Sequence, residues 1–294
     1  MSKMSRIVEL GWEKIHPKYF DSVEGAEKHM QERSLKEDEN YKIPKRIYHT
    51  KVESKDMFGC QMVLFNDVED SERLVIYLHG GIYVDEITRP HISFCDKLAE
   101  KVNACVYAPI YPLAPNHTCE ETYEILEKLY KHLLTMDKPI IIMGDSAGGG
   151  LAVAFCEYLA ANDLAQPESL IGISPWIDIT MSGDYSDVEF DPIGGIDALR
   201  EMGKAWAGDL DLKDYRVSPL FGDITELPKT TLFVGTHETL YPDIQKFYKM
   251  LTDSGIEAEL NVGEGMNHVY PIYPLVPESK EAFNHIVDVI LNQD

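Results

Sequence analysis

Gly144-Asp145-Ser146-Ala147-Gly148 sets a serine between glycines two residues to either side. The apolar run Ile140-Ile141-Ile142-Met143 enters the segment and Leu151-Ala152-Val153-Ala154-Phe155 leaves it. A buried strand that turns sharply into a helix at the serine lifts its hydroxyl above the sheet edge. The helix dipole there favours developing negative charge, and small flanks are needed because side chains would strike neighbouring backbone. Ser146 is therefore a candidate nucleophile for attack on a carbonyl.

Such attack leaves negative charge on oxygen, which aimed backbone N–H groups stabilise. His79-Gly80-Gly81-Ile82-Tyr83 follows the apolar run Leu74-Val75-Ile76-Tyr77-Leu78, and its glycines permit close backbone approach. The expected oxyanion donors are the amides of Gly80, Gly81 and Ala147, while His79 is read as structural. The serine also needs a base, and the base needs an orienting acid. On an elbow of this kind the chain order is Ser, acid, His.

Ten histidines compete. His268 lies in Gly263-Glu264-Gly265-Met266-Asn267-His268, a glycine-rich loop expected between the strand at 257–262 and the last helix. His285, inside that helix, and His117, far upstream, are read as ordinary surface or core residues. His16 and His237 lack a comparable setting. For the acid, Glu238 in the loop after the strand 231–234 is preferred. Asp243, at the start of the next helix, stays open.

These residues must be carried by an alternation of strands and helices. Helices are expected at 4–15 and 23–37, and first strands near 45–52 and at 60–65. From Arg73 the pattern is regular, with strands at 74–78, 104–108, 139–143, 170–173, 231–234 and 257–262. Helices fall between and after them at 91–102, 118–135, from Ser146 onward, 197–207, 242–253 and 278–291. Short apolar strands buried on both faces, alternating with helices, predict an α/β fold with a mostly parallel central sheet flanked by helices. Ligands of such sheets bind beyond the carboxyl ends of the strands, where Ser146, Glu238 and His268 all fall. The irregular stretch 180–217 interrupts the alternation, and an insertion of that length commonly carries a role. With the N-terminal residues 1–42 it is expected to form a helical cap on a single domain spanning 1–294.

Bulk composition narrows the partners. A formal net charge of −23 argues against nucleic acid, whose phosphates such a surface repels. Five cysteines without a C-x-x-C pair argue against a disulfide framework or a zinc cluster and favour reduced thiols in the cytoplasm. No signal peptide is expected from the polar start, and no apolar run approaches the ~18 residues needed to span a bilayer. A homo-oligomer stays open.

Together the segments His79-Gly80-Gly81, Tyr111-Pro112-Leu113-Ala114-Pro115, Gly144-Asp145-Ser146-Ala147-Gly148-Gly149, Ser174-Pro175-Trp176, Ser218-Pro219-Leu220 and Gly265-Met266-Asn267-His268 resemble the hormone-sensitive-lipase-like branch of α/β-hydrolase esterases. The resemblance runs from about Arg73 to the end. It implies the α/β-hydrolase fold with a cap, Ser146 as nucleophile, His268 as base, an acid at the Glu238 position, and no metal or cofactor. The implied activity is carboxylesterase action on short- to medium-chain acyl esters of small molecules. An amide hydrolase such as a formamidase or small peptidase, an acyl transferase and a non-catalytic ligand-binding member are the alternatives. The sequence departs from the family at Ile82, where a third glycine is usual, at Pro112 and Asn116, which remove a usual Arg–Glu pair, and at Glu238, where Asp is usual. Ile82 is expected to narrow or reshape the acyl pocket.

Overall fold

The computed structural model describes residues 17–36, 40–186, 188, 191, 195–273 and 276–292. The helix expected at 4–15 lies outside them. Eight strands form one sheet: β1 (Val52–Met57), β2 (Cys60–Phe65), β3 (Arg73–Leu78), β4 (Ala104–Pro109), β5 (Ile140–Asp145), β6 (Ser169–Ile173), β7 (Lys229–His237) and β8 (Ala258–Asn267). Their order is β1-β2-β4-β3-β5-β6-β7-β8. The β1–β2 and β2–β4 pairs are antiparallel and all others parallel.

The helices are α1 (Val23–Ser34), α2 (Arg89–Val102), α3 (Cys119–Leu134), α4 (Ser146–Ala161), α5 (Ile196–Ala207), α6 (Tyr241–Asp253) and α7 (Pro277–Leu291). Alternation along the strands divides the core. Leu74, Ile76 and Leu78 of β3 join the cluster with α3, α4 and α6, while Val75 and Tyr77 join the one with α2 and α7. The expected mostly parallel sheet with helices on both faces is the structure observed.

Two expectations about strands need correction. Residues 45–51 form no strand, because the backbone amides of His49 and Thr50 are taken by the Asp96 carboxylate at 3.0–3.1 Å. The first strand is instead Val52–Met57, whose charged residues hide the usual apolar alternation. It joins β2 through Phe58-Gly59, both in the left-handed region, as a two-residue hairpin demands. At the other edge β8 does not stop at 262. It runs on to Asn267 with a register irregularity opposite Gly235 and His237, so the glycine-rich segment is strand rather than loop. As an edge strand beside one neighbour, β8 tolerates glycines that would weaken an interior strand.

The five cysteines are all unpaired and buried. Among the described residues no helix is long and apolar enough to cross a membrane. Helices α1 and α5 pack on one another, so the N-terminal segment and the 180–217 insertion meet.

One buried group stands outside the sheet logic. Glu157 of α4 is 3% exposed, and neither of its carboxyl oxygens has a hydrogen-bond partner among the described residues. Burial, with Asp223 nearby, pushes its pKa up to about 10. An acid whose folded pKa exceeds its unfolded value favours the fold most at low pH, and that contribution is lost as pH rises from the ordinary 4.5 towards about 10. Glu157→Gln is therefore expected to stabilise the protein at pH 8 by at least about 1 kcal/mol, seen as a melting temperature a few degrees higher. Thermal melts between pH 6 and pH 9 check this, since the gap over wild type should widen with pH.

Candidate active site

Ser146 follows the last residue of β5 and opens α4 with φ +52, a left-handed conformation forced by the reversal from strand to helix. The packing explains its glycines. A Cβ on Gly144 would lie 2.3 Å from the Gly148 carbonyl oxygen, and one on Gly148 would lie 2.1 Å from that of Leu78. The Trp176 amide donates to the Ser146 carbonyl at 2.8 Å and ties the turn to the loop after β6.

Asp145, within the same motif, is fully buried with both oxygens hydrogen-bonded. Its Oδ1 accepts from the Tyr77 hydroxyl at 2.6 Å and the Gly80 amide at 3.0 Å. Its Oδ2 accepts from His91 Nε2 at 3.1 Å, while His91 Nδ1 accepts the Thr88 amide at 3.0 Å. That second bond selects the His91 tautomer that carries its proton on Nε2. Burial alone would raise the Asp145 pKa, but His91, Tyr77 and the Gly80 amide outweigh it and hold the carboxyl below the ordinary range. Sequence reasoning missed both Asp145 and His91. The available signal was Thr88-x-x-His91 at the start of α2, a capping pattern that aims the imidazole back towards β5.

The Gly80 amide requires a correction. Because it is spent on Asp145, it is not available as an oxyanion donor. The next two amides, of Gly81 and Ile82, have no partner among the described residues, and the Ala147 amide belongs to the open first turn of α4. Gly81 (φ +130), Ile82 (φ +59) and Tyr83 (φ +61) form a run of left-handed residues, a costly conformation for β-branched Ile82. The His79 side chain makes no hydrogen bond to Ser146. Its Nδ1 donates to the Gly80 carbonyl at 2.7 Å and its ring stacks on Tyr111.

His268 follows β8 directly. Its Nε2 lies 2.8 Å from Ser146 Oγ and its Nδ1 lies 3.1 Å from Glu238 Oε2. The matching tautomer donates from Nδ1 to the carboxylate and accepts the serine proton at Nε2. Glu238 is fully buried. Asp243, the other acid considered, is turned away and accepts from the Tyr185 hydroxyl at 2.6 Å, which anchors the 180–217 insertion to α6. Ser174 accepts the Val269 amide at 3.0 Å, next to His268 in the chain, and its hydroxyl is among the groups that work against the upward shift of the Glu238 pKa. His117 pairs with Glu121 and His285 with Glu259 at the surface. His237 ends β7, and His16 lies outside the described residues.

These groups open into a cavity of about 230 Å³. Ser146, His268, Gly81 and Ile82 meet there with Tyr19 and Phe20 from the N-terminal segment and Leu199 from α5. Asp191 of the insertion also lines it, and its Oδ2 accepts the Thr239 amide at 2.6 Å.

Residues 75–272 match the alpha/beta hydrolase fold family. The chain belongs to that family. An esterase from Acinetobacter venetianus is 30% identical over 76% of this chain and 76% of its own. An acetyl-hydrolase from Streptomyces hygroscopicus is 29% identical over 71% of this chain and 72% of its own. The solved structure of an esterase from the bacterial hormone-sensitive lipase family has the same fold, with a TM-score of 0.78 at 24% identity, covering 92% of this chain and 97% of that one. The chain is thus a serine hydrolase of the esterase and lipase type.

The His268 environment sets the pH above which its imidazole is free to accept a proton. Burial lowers the imidazole pKa, but Glu238 at hydrogen-bond distance, helped by Asp191 and Asp145, reverses the effect and raises it above the ordinary 6.5. A base must be unprotonated to accept the serine proton, so ester hydrolysis is expected to lose rate on the acid side with a midpoint above 6.5. Glu238→Gln should move that midpoint down and lower kcat by about a hundredfold or more. A kcat/KM profile from pH 5 to pH 9 checks both. An unmoved midpoint in the variant would exclude Glu238 as the controlling charge.

Proposed function

We propose that this chain is a carboxylesterase that cleaves short- to medium-chain acyl esters of small molecules through an acyl-enzyme on Ser146. The observation that carries the reading is the 2.8 Å approach of His268 Nε2 to Ser146 Oγ in a cavity beside unpaired amides. His268 takes the serine proton as Oγ attacks the ester carbonyl. The amides of Gly81, Ile82 and Ala147 receive the oxyanion. His268 then gives its proton to the leaving alcohol, and water repeats the cycle on the acyl-enzyme. Glu238 holds the imidazole tautomer and balances its transient charge.

The cavity supports the shorter acyl chains. Its volume of about 230 Å³ is below the ~300–1,000 Å³ typical of sites for drug-sized ligands. The acetyl-hydrolase relative points the same way. Residues 18–34 and 196–207 act as the cap, because their side chains Tyr19, Phe20 and Leu199 roof the serine.

Ser146→Ala is expected to lower the turnover of p-nitrophenyl butyrate at least about a thousandfold while the melting temperature stays put. Steady-state assays over p-nitrophenyl esters from acetyl to decanoyl should show the highest kcat/KM at or below butyryl. Undiminished turnover in the alanine variant would end the reading.

A further inference from the structure

A carboxylate beside the turn that carries the Gly81 and Ile82 amides ties it to the N-terminal segment. The amides of Val84 and Asp85 both donate back to the Gly81 carbonyl, at 2.9 and 2.7 Å, which closes the turn locally. It remains conformationally costly, with three successive residues at positive φ. Such a conformation persists only where the surroundings over-determine it. Asp85 supplies much of that hold. Arg33 Nη2 lies 2.8 Å and His29 Nε2 3.0 Å from its Oδ1, and the Tyr19 hydroxyl donates to its Oδ2 at 3.1 Å.

All three donors come from the N-terminal segment, on α1 and the short 3-10 turn before it. Tyr19 and His29 stack with ring centroids 3.9 Å apart, so they approach Asp85 as one unit. Asp85, His29 and Arg33 side chains are only 26%, 17% and 17% exposed, which limits solvent screening of the cluster. Burial raises the Asp85 pKa, but His29, Arg33 and Tyr19 outweigh it and keep the carboxyl below the ordinary range.

We propose that Asp85 is a positioning residue of the reaction: by gripping Tyr19, His29 and Arg33 at once it fixes the strained 81–83 turn, and with it the two amides on which the oxyanion forms. The N-terminal helix thereby does more than roof the cavity. It braces the oxyanion turn, and its loss would be felt in the chemical step. This inference rests on the hydrolase reading above.

The test compares Asp85→Ala, Asp85→Asn, Arg33→Gln and Tyr19→Phe with wild type on p-nitrophenyl butyrate. It adds inhibition by an alkyl trifluoromethyl ketone, whose serine adduct carries a tetrahedral oxyanion. Asp85→Ala should lower kcat about ten- to a hundredfold with KM changed less than about threefold, and ketone affinity should fall by a similar factor. Asp85→Asn should recover part of the loss. Arg33→Gln and Tyr19→Phe should show smaller losses of the same pattern, and they decide the matter if the Asp85 variants do not fold. Unchanged kcat, a loss confined to KM, or a fall in kcat with full ketone affinity would overturn the proposal. If wild type neither turns over the ester nor binds the ketone, the hydrolase reading fails and this one with it. If wild type does both and the variants match it, only this one fails.

Discussion

The reversal of chain direction at Ser146 is the constraint on which the site depends. β5 arrives parallel to its neighbours and α4 must leave at once across the sheet, so the residue between them is driven to φ +52. Only backbone can fit where Gly148 meets Leu78 and Gly144 meets Gly148. The same reversal leaves the first amides of α4 without helical partners and sets the serine oxygen above the sheet. From that fixed point His268 has to come within 2.8 Å, and the edge strand β8 delivers it by running to Asn267 before the chain turns.

Three buried carboxyl groups show how hydrogen-bond donors decide the charge state inside this fold. Asp145 accepts from a tyrosine hydroxyl, an imidazole and an amide, and its pKa falls despite complete burial. Glu238 accepts from His268 on one oxygen while the other has no partner among the described residues, and burial prevails in raising it. Glu157 has no partner among them and is pushed furthest. Burial acts against the charged form in each case, and the number of donors offered determines which side wins. Asp145 thereby becomes a fixed negative post that orients the His79-Gly80-Gly81 segment through the Gly80 amide.

The parts above the sheet are joined to the reactive groups by polar ties rather than by packing alone. Asp85 receives the N-terminal segment next to the 81–83 turn. Asp191 receives the Thr239 amide beside Glu238, and Asp243 receives Tyr185. Tyr83 lays its ring on Trp206 of α5 at 4.4 Å, so the turn is also gripped by the insertion. Acidic side chains serve as anchors in all three ties, which gives part of the large negative charge a structural use.

The α/β alternation, the sharp strand-to-helix turn at Ser146 and the placing of His268 just past a strand were legible in the sequence because each rests on local chemistry. Apolar runs of strand length, glycines where backbone must touch backbone, and a histidine just past a strand are written in neighbouring residues. The charged edge strand β1 was not legible, since none of its residues is buried and neither face needs an apolar row, and β8 was cut short because its glycines resemble a loop. The choice between Glu238 and Asp243 needed the tertiary structure, because both follow β7 within a few residues and only the packing turns one towards His268. Which amides beside Ser146 are left open was decided there too. Gly80 is the better residue for a close approach, yet its amide is taken by Asp145 from 65 positions away, and the open amides fall to Gly81 and Ile82. Sequence carries local geometry well; which partner a buried polar group finds is settled only when distant strands are brought side by side.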